Sequence, residues 1–244
     1  MRTSLHSKPN QPASTRPWKK PAYWLKLIAF ALISLYISLT VAMAVMGTVQ
    51  SIRPAKRPVC CETPADWGFT YEDASLTAPD GIRLVGWYIP PQSAAKDQPA
   101  AAVILLHGYA SHRLATKSYA EMLARHGYAV LMYDQRASGE SEGETLSWGW
   151  RDVADVQGAI AYLQGRPELA NGKIGVLGCS TGAEIAIAAA AQQSAIQAVV
   201  ADAPYYTTAQ DLPPADNLLE WLSIPMYHLL IQLMEWKSGA SAPQ

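Results

Sequence analysis

Residues 174–191 read Ile-Gly-Val-Leu-Gly-Cys-Ser-Thr-Gly-Ala-Glu-Ile-Ala-Ile-Ala-Ala-Ala-Ala, a short aliphatic run that enters an alanine-rich helical segment with no loop between them. The junction is Gly178-Cys179-Ser180-Thr181-Gly182. A strand that turns this sharply into a helix strains the residue at its corner, and glycines must flank that corner because any side chain there would collide with the neighbouring chain. Ile174 to Leu177 suits a buried parallel strand, and Thr181 to Ala191 is almost pure helix former. Ser180 then stands at a helix N-terminus, where free amides favour negative charge. A dinucleotide fingerprint needs G-x-G-x-x-G, but the glycines fall at 175, 178 and 182, and the turn holds no Gly-Lys pair for a phosphate loop.

The N-terminal part has a different grammar. Residues 1–26 carry Arg2, Lys8, Arg16, Lys19, Lys20 and Lys26 with no acidic residue, and are expected to be a disordered basic cytoplasmic tail. Residues 27–52 contain no charged side chain, and at about 1.5 Å per residue they are long enough to cross a hydrocarbon core of roughly 30 Å. The reading is one transmembrane helix. More basic residues precede it than follow it, which places the N-terminus in the cytoplasm and the rest of the chain outside. A cleaved signal peptide, with Ala42-Met43-Ala44 as its site, and a buried core helix are the alternatives. The basic region is long for the first and the apolar run long for the second. Cys60 and Cys61 are adjacent and expected not to pair with each other, which leaves juxtamembrane acylation, a disulfide to another chain, or no special role.

Residues 53–66, with three prolines, form a linker to the remaining 67–244. Glu72 to Thr77 and Ile82 to Ile89 alternate in polarity around Ala78-Pro79-Asp80-Gly81, which predicts an antiparallel hairpin. Beyond it, aliphatic runs at 102–106, 129–133, 174–177 and 198–201 alternate with helical patterns at 115–125, 150–163 and 181–191. This alternation predicts an α/β fold, a mostly parallel sheet covered by helices on both faces. The unusual residues cluster at the carboxyl ends of the strands, where function belongs in such sheets. They are His107-Gly108-Tyr109, the run from Asp134 to Ser141, the corner at Ser180, and Asp202.

With His107-Gly108, the D-x-R-x-x-G-x-S run of Asp134 to Ser141 and the G-x-S-x-G corner in this order, the chain resembles the α/β-hydrolase superfamily, in particular bacterial serine hydrolases of the esterase and S33-peptidase-like type. The resemblance covers about residues 67 to 210. It implies that Ser180 is a nucleophile that forms an acyl-enzyme, later hydrolysed by water. It also implies an oxyanion hole made by the backbone N–H groups of Thr181 and Tyr109, each worth on the order of 3 kcal/mol of transition-state stabilisation. In the family the strand-end histidine, here His107, supports the oxyanion loop and is not the base. His126 reads as an exposed helix cap, His112 as a solvated loop residue or a pocket wall, and Asp134 with Arg136 as a pair that shapes a loop turned at Gly139.

The family's order is Ser, then Asp or Glu, then His, on loops after further strands. After Asp202 this sequence shows instead a helical covering segment within 205–236 and a polar tail, with no seventh or eighth strand. His228 is the one histidine beyond the corner, and Asp202 lies where some members place their acid. The expectation is therefore a hydrolase domain incomplete at its C-terminus, either a fragment or an inactive variant, with an apolar parallel strand left at the sheet edge.

Two readings follow. One is a membrane-anchored serine hydrolase acting on a small-molecule ester, thioester or amide, with acyl transfer to another acceptor as a variant. The other is a non-catalytic binding or scaffold module that keeps the fold without the triad. Tyr109, Trp148, Trp150 and the covering segment are expected to shape an apolar pocket. With 19 basic and 20 acidic residues, nothing points to nucleic acid, and no metal cluster or nucleotide motif calls for a cofactor.

Overall fold

The computed structural model describes residues 21–91, 100–169, 172–204 and 214–238. Its contacts divide the chain into a unit ending at Thr40 and a second unit from Val41 to Gln244. The first unit is described by the leading part of helix α1, Pro21–Ile52, whose side chains there are apolar and turned outward. The helix begins six residues before the uncharged run, so residues 21–26 are helical, which corrects the disordered tail expected to extend to 26. Tyr23, Trp24 and Leu25 are good enough helix formers to extend an apolar helix by a turn and more. Residues 1–20 lie outside the described residues. By length and composition α1 suits a membrane span, and its position near the N-terminus suits a signal sequence as well.

In the second unit β1 (Glu72–Thr77) and β2 (Arg83–Ile89) form the expected hairpin, with Glu72 opposite Tyr88 and Thr77 opposite Arg83. β3 (Ala102–Leu106), β4 (Ala129–Tyr133), β5 (Ile174–Cys179) and β6 (Ile196–Asp202) complete a sheet of order β1-β2-β4-β3-β5-β6. The first three strands in that order pair antiparallel and the last four parallel. β3, β4 and β5 are buried because helices cover both faces of the sheet there. On one face Leu106, Leu131, Val176 and Tyr133 pack with Val156 and Ile160 of α3 (Asp155–Gln164) and with Ile185 and Ala189 of α4 (Thr181–Gln192). On the other, Leu105, Val130, Met132 and Leu177 pack with Ala120 and Ala124 of α2 (Lys117–Arg125), beside Trp67 and Trp87.

Two helical patterns begin later than their periodicity suggests, because each opens with a tight 3-10 turn, at Arg113–Thr116 and at Asp152–Ala154. β6 sits at the edge with Val199 40% and Val200 54% exposed, as expected of an uncovered apolar strand. Within 205–236, expected as a covering segment, α5 (Leu218–Ser238) is helical, while 205–213 lie outside the described residues. Leu230 of α5 packs at Gly47, and Thr48 Oγ1 donates to the carbonyls of Ala44 (2.8 Å) and Leu230 (3.4 Å). Cys60 and Cys61 form a disulfide with each other, contrary to expectation; a cis peptide between them brings their Cα atoms to 3.1 Å.

Candidate active site

β5 runs into α4 at Ser180, which has φ 54° and ψ −124°, a backbone state that a side-chain-bearing residue keeps only when its surroundings enforce it. Two hydrogen bonds and two close backbone approaches enforce it here. The Ser180 N–H donates to the Asp202 carbonyl at 2.9 Å, and its own carbonyl accepts from Ala183 N–H at 2.9 Å. A Cβ on Gly178 would lie 2.0 Å from the Gly182 carbonyl oxygen, and one on Gly182 would lie 2.4 Å from the Leu106 carbonyl oxygen. The corner therefore closes only with glycine at both flanks. Thr181 is the first residue of α4 and is buried, so its N–H belongs to the unpaired first turn that favours an anion.

The loop after β3 comes up against this corner. A Cβ on Gly108 would lie 3.2 Å from Ser180 Cβ, so the backbone at Gly108 lies close beside the serine, with Tyr109 next in the chain. His107 is buried and fully engaged beneath them. Its Nε2 accepts from Gln135 N–H at 3.0 Å, and its Nδ1 lies 2.8 Å from the Gly108 carbonyl. Gln135 Nε2 also donates to the His107 carbonyl. One ring nitrogen accepts and the other donates, which is the neutral tautomer, and burial holds its pKa below the ordinary 6.5. His107 thus ties the loop after β3 to the loop after β4.

Asp134 and Arg136 do not pair with each other, contrary to expectation, because in the loop that follows β4 their side chains reach different partners. Asp134 accepts from Arg113 Nη1 at 2.6 Å and Arg113 N–H at 2.7 Å, while Arg113 Nη2 reaches Glu140 at 2.5 Å. Arg136 makes a two-pronged pair with Asp155, bonds Asp80 at 3.0 Å and lies 3.6 Å from Asp152. Burial, helped by the nearby Asp152 and Asp80 carboxylates and opposed by the Arg136 guanidinium, raises the Asp155 carboxyl to about 6. Gly139, at φ +46°, turns the loop where a Cβ would sit 2.1 Å from Asp134 Oδ2.

The cavity beside the corner is lined by Tyr109, Leu146, Trp148, Asp152, Thr181 and Ile185 among others, and holds only about 10 Å³. Tyr109 and Trp148, both in its wall, stack with ring centroids 4.7 Å apart and planes 18° from parallel. Trp150, expected as a wall, does not line it. Leu146 and Asp152 do, and the sequence did not single them out, since both lie in a stretch whose course depends on contacts with distant residues. Asp152 is buried and accepts from Ser147 Oγ at 2.8 Å and from Gly149 N–H at 3.1 Å. A larger hollow of about 460 Å³ lies at the other end of the strands, around Ala102, Lys173, Ile174 and Ala198.

Among the described residues no histidine is bonded to Ser180. His126 caps α2, exposed, with Nδ1 2.7 Å from the Met122 carbonyl. His112 is half-buried with Nδ1 unpartnered, and His228 is exposed on α5. The Asp202 carboxylate accepts from Tyr119.

Residues 97–239 match the family model described as serine aminopeptidase, S33. The chain is 30% identical over 161 residues to the uncharacterized protein YfhR of Escherichia coli K12, covering 64% of this chain and 55% of that one. It is 29% identical over 163 residues to the uncharacterized protein Rv2307c of Mycobacterium tuberculosis H37Rv, covering 67% and 50%. The chain spans about half the length of these curated relatives. Among solved structures the esterase Pf2001 of Pyrococcus furiosus superposes with a TM-score of 0.60 at 31% identity, covering 74% of this chain and 68% of that one.

Proposed function

The chain belongs to the serine aminopeptidase S33 family of α/β-hydrolases, and we propose that it is a membrane-anchored serine hydrolase that cleaves a small-molecule ester, thioester or amide through an acyl-enzyme on Ser180. The observation that carries this reading is the positive φ of Ser180, held between glycines that have no room for a side chain. Strain of this kind belongs to sites where a nucleophile must project from the end of the sheet. In the proposed chemistry Ser180 Oγ attacks the acyl carbon while the N–H groups of Thr181 and Tyr109 receive the developing oxyanion, and collapse of that oxyanion breaks the C–O, C–S or C–N bond so that the alcohol, thiol or amine leaves carrying the proton that Ser180 gives up. The similarity to an esterase favours an ester over an amide as substrate. Water or another acceptor then releases the acyl group. The uncharged run in α1 is the proposed anchor, with the basic N-terminus in the cytoplasm and the hydrolase unit outside.

A fluorophosphonate probe tests the nucleophile. It is expected to label the full chain in detergent, and the label to vanish in Ser180→Ala; a folded protein that takes no label rejects the reading. The second reading, a non-catalytic module on the same fold, is favoured by the engagement of His107, His126 and the Asp202 carboxylate elsewhere. It predicts thermal stabilisation by acyl ligands without turnover, unchanged in Ser180→Ala.

A further inference from the structure

The last turn of a helix leaves carbonyl groups with no partner in the helix itself. In α1 they are met by residues of the cavity wall. Tyr109 Oη donates to the Gln50 carbonyl at 3.1 Å, Trp148 Nε1 donates to that of Ser51 at 3.3 Å, and Leu146 N–H donates to that of Ile52 at 2.8 Å. All three donors line the cavity beside Ser180. Two of them, Tyr109 and Trp148, stack on one another in its wall.

One turn back along the same helix the surface is apolar and open. Met43, Val45, Met46 and Val49 are exposed, whereas Ala44, Thr48 and Ile52 are buried, with Leu230 of α5 meeting the helix at Gly47 and Thr48. Helix α5 adds Leu218, Leu219, Trp221 and Leu222, also exposed. Tyr and Trp with an apolar body and a polar tip spent on hydrogen bonds are the side chains that settle at a bilayer surface. At about 10 Å³ the cavity holds no acyl group until the stack parts.

From this arrangement we infer that the cavity beside Ser180, which its neighbour Thr181 lines, opens at the bilayer surface, between the last turn of α1 and the Tyr109–Trp148 stack, and that its substrate is an amphiphile whose acyl chain resides in the membrane. The inference rests on the hydrolase reading for its chemistry and on the contacts of α1 for its location. A chain lying along Val45, Met46 and Val49 reaches the stack directly, and displaces Tyr109 and Trp148 from the α1 carbonyls as it enters. A soluble short ester gains nothing from this route.

The test uses the full chain in phospholipid vesicles and two separate readouts. The first is tryptophan emission, wild type minus Trp148→Phe, in vesicles whose lipids carry bromine near the top of the acyl chain. The difference emission is expected to be quenched; unquenched emission places the cavity in water and overturns the inference. The second is labelling of Ser180 by a fluorophosphonate with a long alkyl tail, at constant total probe and increasing total lipid. The rate is expected to fall in proportion as the probe is diluted in the surface; a rate indifferent to lipid means entry from water and overturns the substrate class. Failure of Ser180 to take any fluorophosphonate, even in detergent, rejects the hydrolase reading and with it the substrate. Quenching in that case still supports a bilayer-facing cavity, as a binding site.

Discussion

Gly182 and His107 show how little freedom the corner around Ser180 has. A methyl group on Gly182 would meet the backbone oxygens of Leu106 and His107 at 2.4 and 2.7 Å, and backbone in a parallel sheet cannot withdraw by the tenths of an ångström required. Gly182→Ala is therefore expected to lower unfolding free energy by about 1–3 kcal/mol, read from the urea midpoint, and to abolish probe labelling of Ser180 together with it. Stability retained in full would mean that the elbow is looser than its contacts imply. His107 answers to pH. Its neutral ring accepts from Gln135 N–H and lies against the Gly108 carbonyl, so protonation sets two N–H groups against each other at Nε2. Its folded pKa lies below the unfolded 6.5, so the unfolded chain takes up the proton first as pH falls. The stabilisation is complete above about pH 6.5 and is lost toward the folded pKa. Unfolding free energy of wild type minus His107→Gln is expected to shrink from pH 7 to 5; a constant difference would show that the ring does not titrate with folding.

At the scale of elements, Arg136 joins the loop after β4, the hairpin turn at Asp80 and the start of α3 through Asp155, with Asp152 close by. Burying several carboxylates around one guanidinium is costly, and removing the cation leaves them without compensation. Arg136→Met is expected to cost about 3–5 kcal/mol at pH 7. The cost should lessen below the Asp155 pKa of about 6, where that carboxyl accepts a proton. Denaturation of both proteins at pH 7 and pH 5 checks this, and an equal loss at both values would assign the effect to packing. None of these pairings was legible in the chain. The hairpin, the strands and the glycine-flanked corner are written in local periodicity and in neighbouring residues. Arg136 to Asp155 and Asp134 to Arg113 are separated by 19 and 21 positions, and only the assembled sheet decides which carboxylate faces which cation. Proximity in sequence suggested Asp134 with Arg136, and burial chose otherwise. Likewise Ser180, Thr181 and Tyr109 could be read as site candidates, whereas Asp152 and Leu146 enter the cavity wall through a turn whose course is set by Ser147 and the end of α1.

At the scale of the molecule, β6 is the open edge of the sheet among the described residues. Beyond Ile196, β6 is exposed along its length, and Val200 faces the hollow that includes Leu123, Tyr128, Val176 and Leu177. A parallel edge strand offers unpaired backbone groups next to an apolar surface, and a second chain can satisfy both at once. The full chain in mild detergent is therefore expected to self-associate with rising concentration, apart from any association through α1. Val200→Lys places a charge beside the open edge, where its flexible stem still covers apolar surface while the ammonium stays in water. Because Val200 is already 54% exposed, the substitution should change unfolding free energy by no more than about 0.5 kcal/mol. Its effect should fall on association instead, as a drop in weight-average mass at the highest concentrations by light scattering. A mass that stays high in Val200→Lys while falling when α1 is deleted would assign association to the apolar helix, and would show that the edge of β6 is covered by some other part of the molecule in solution.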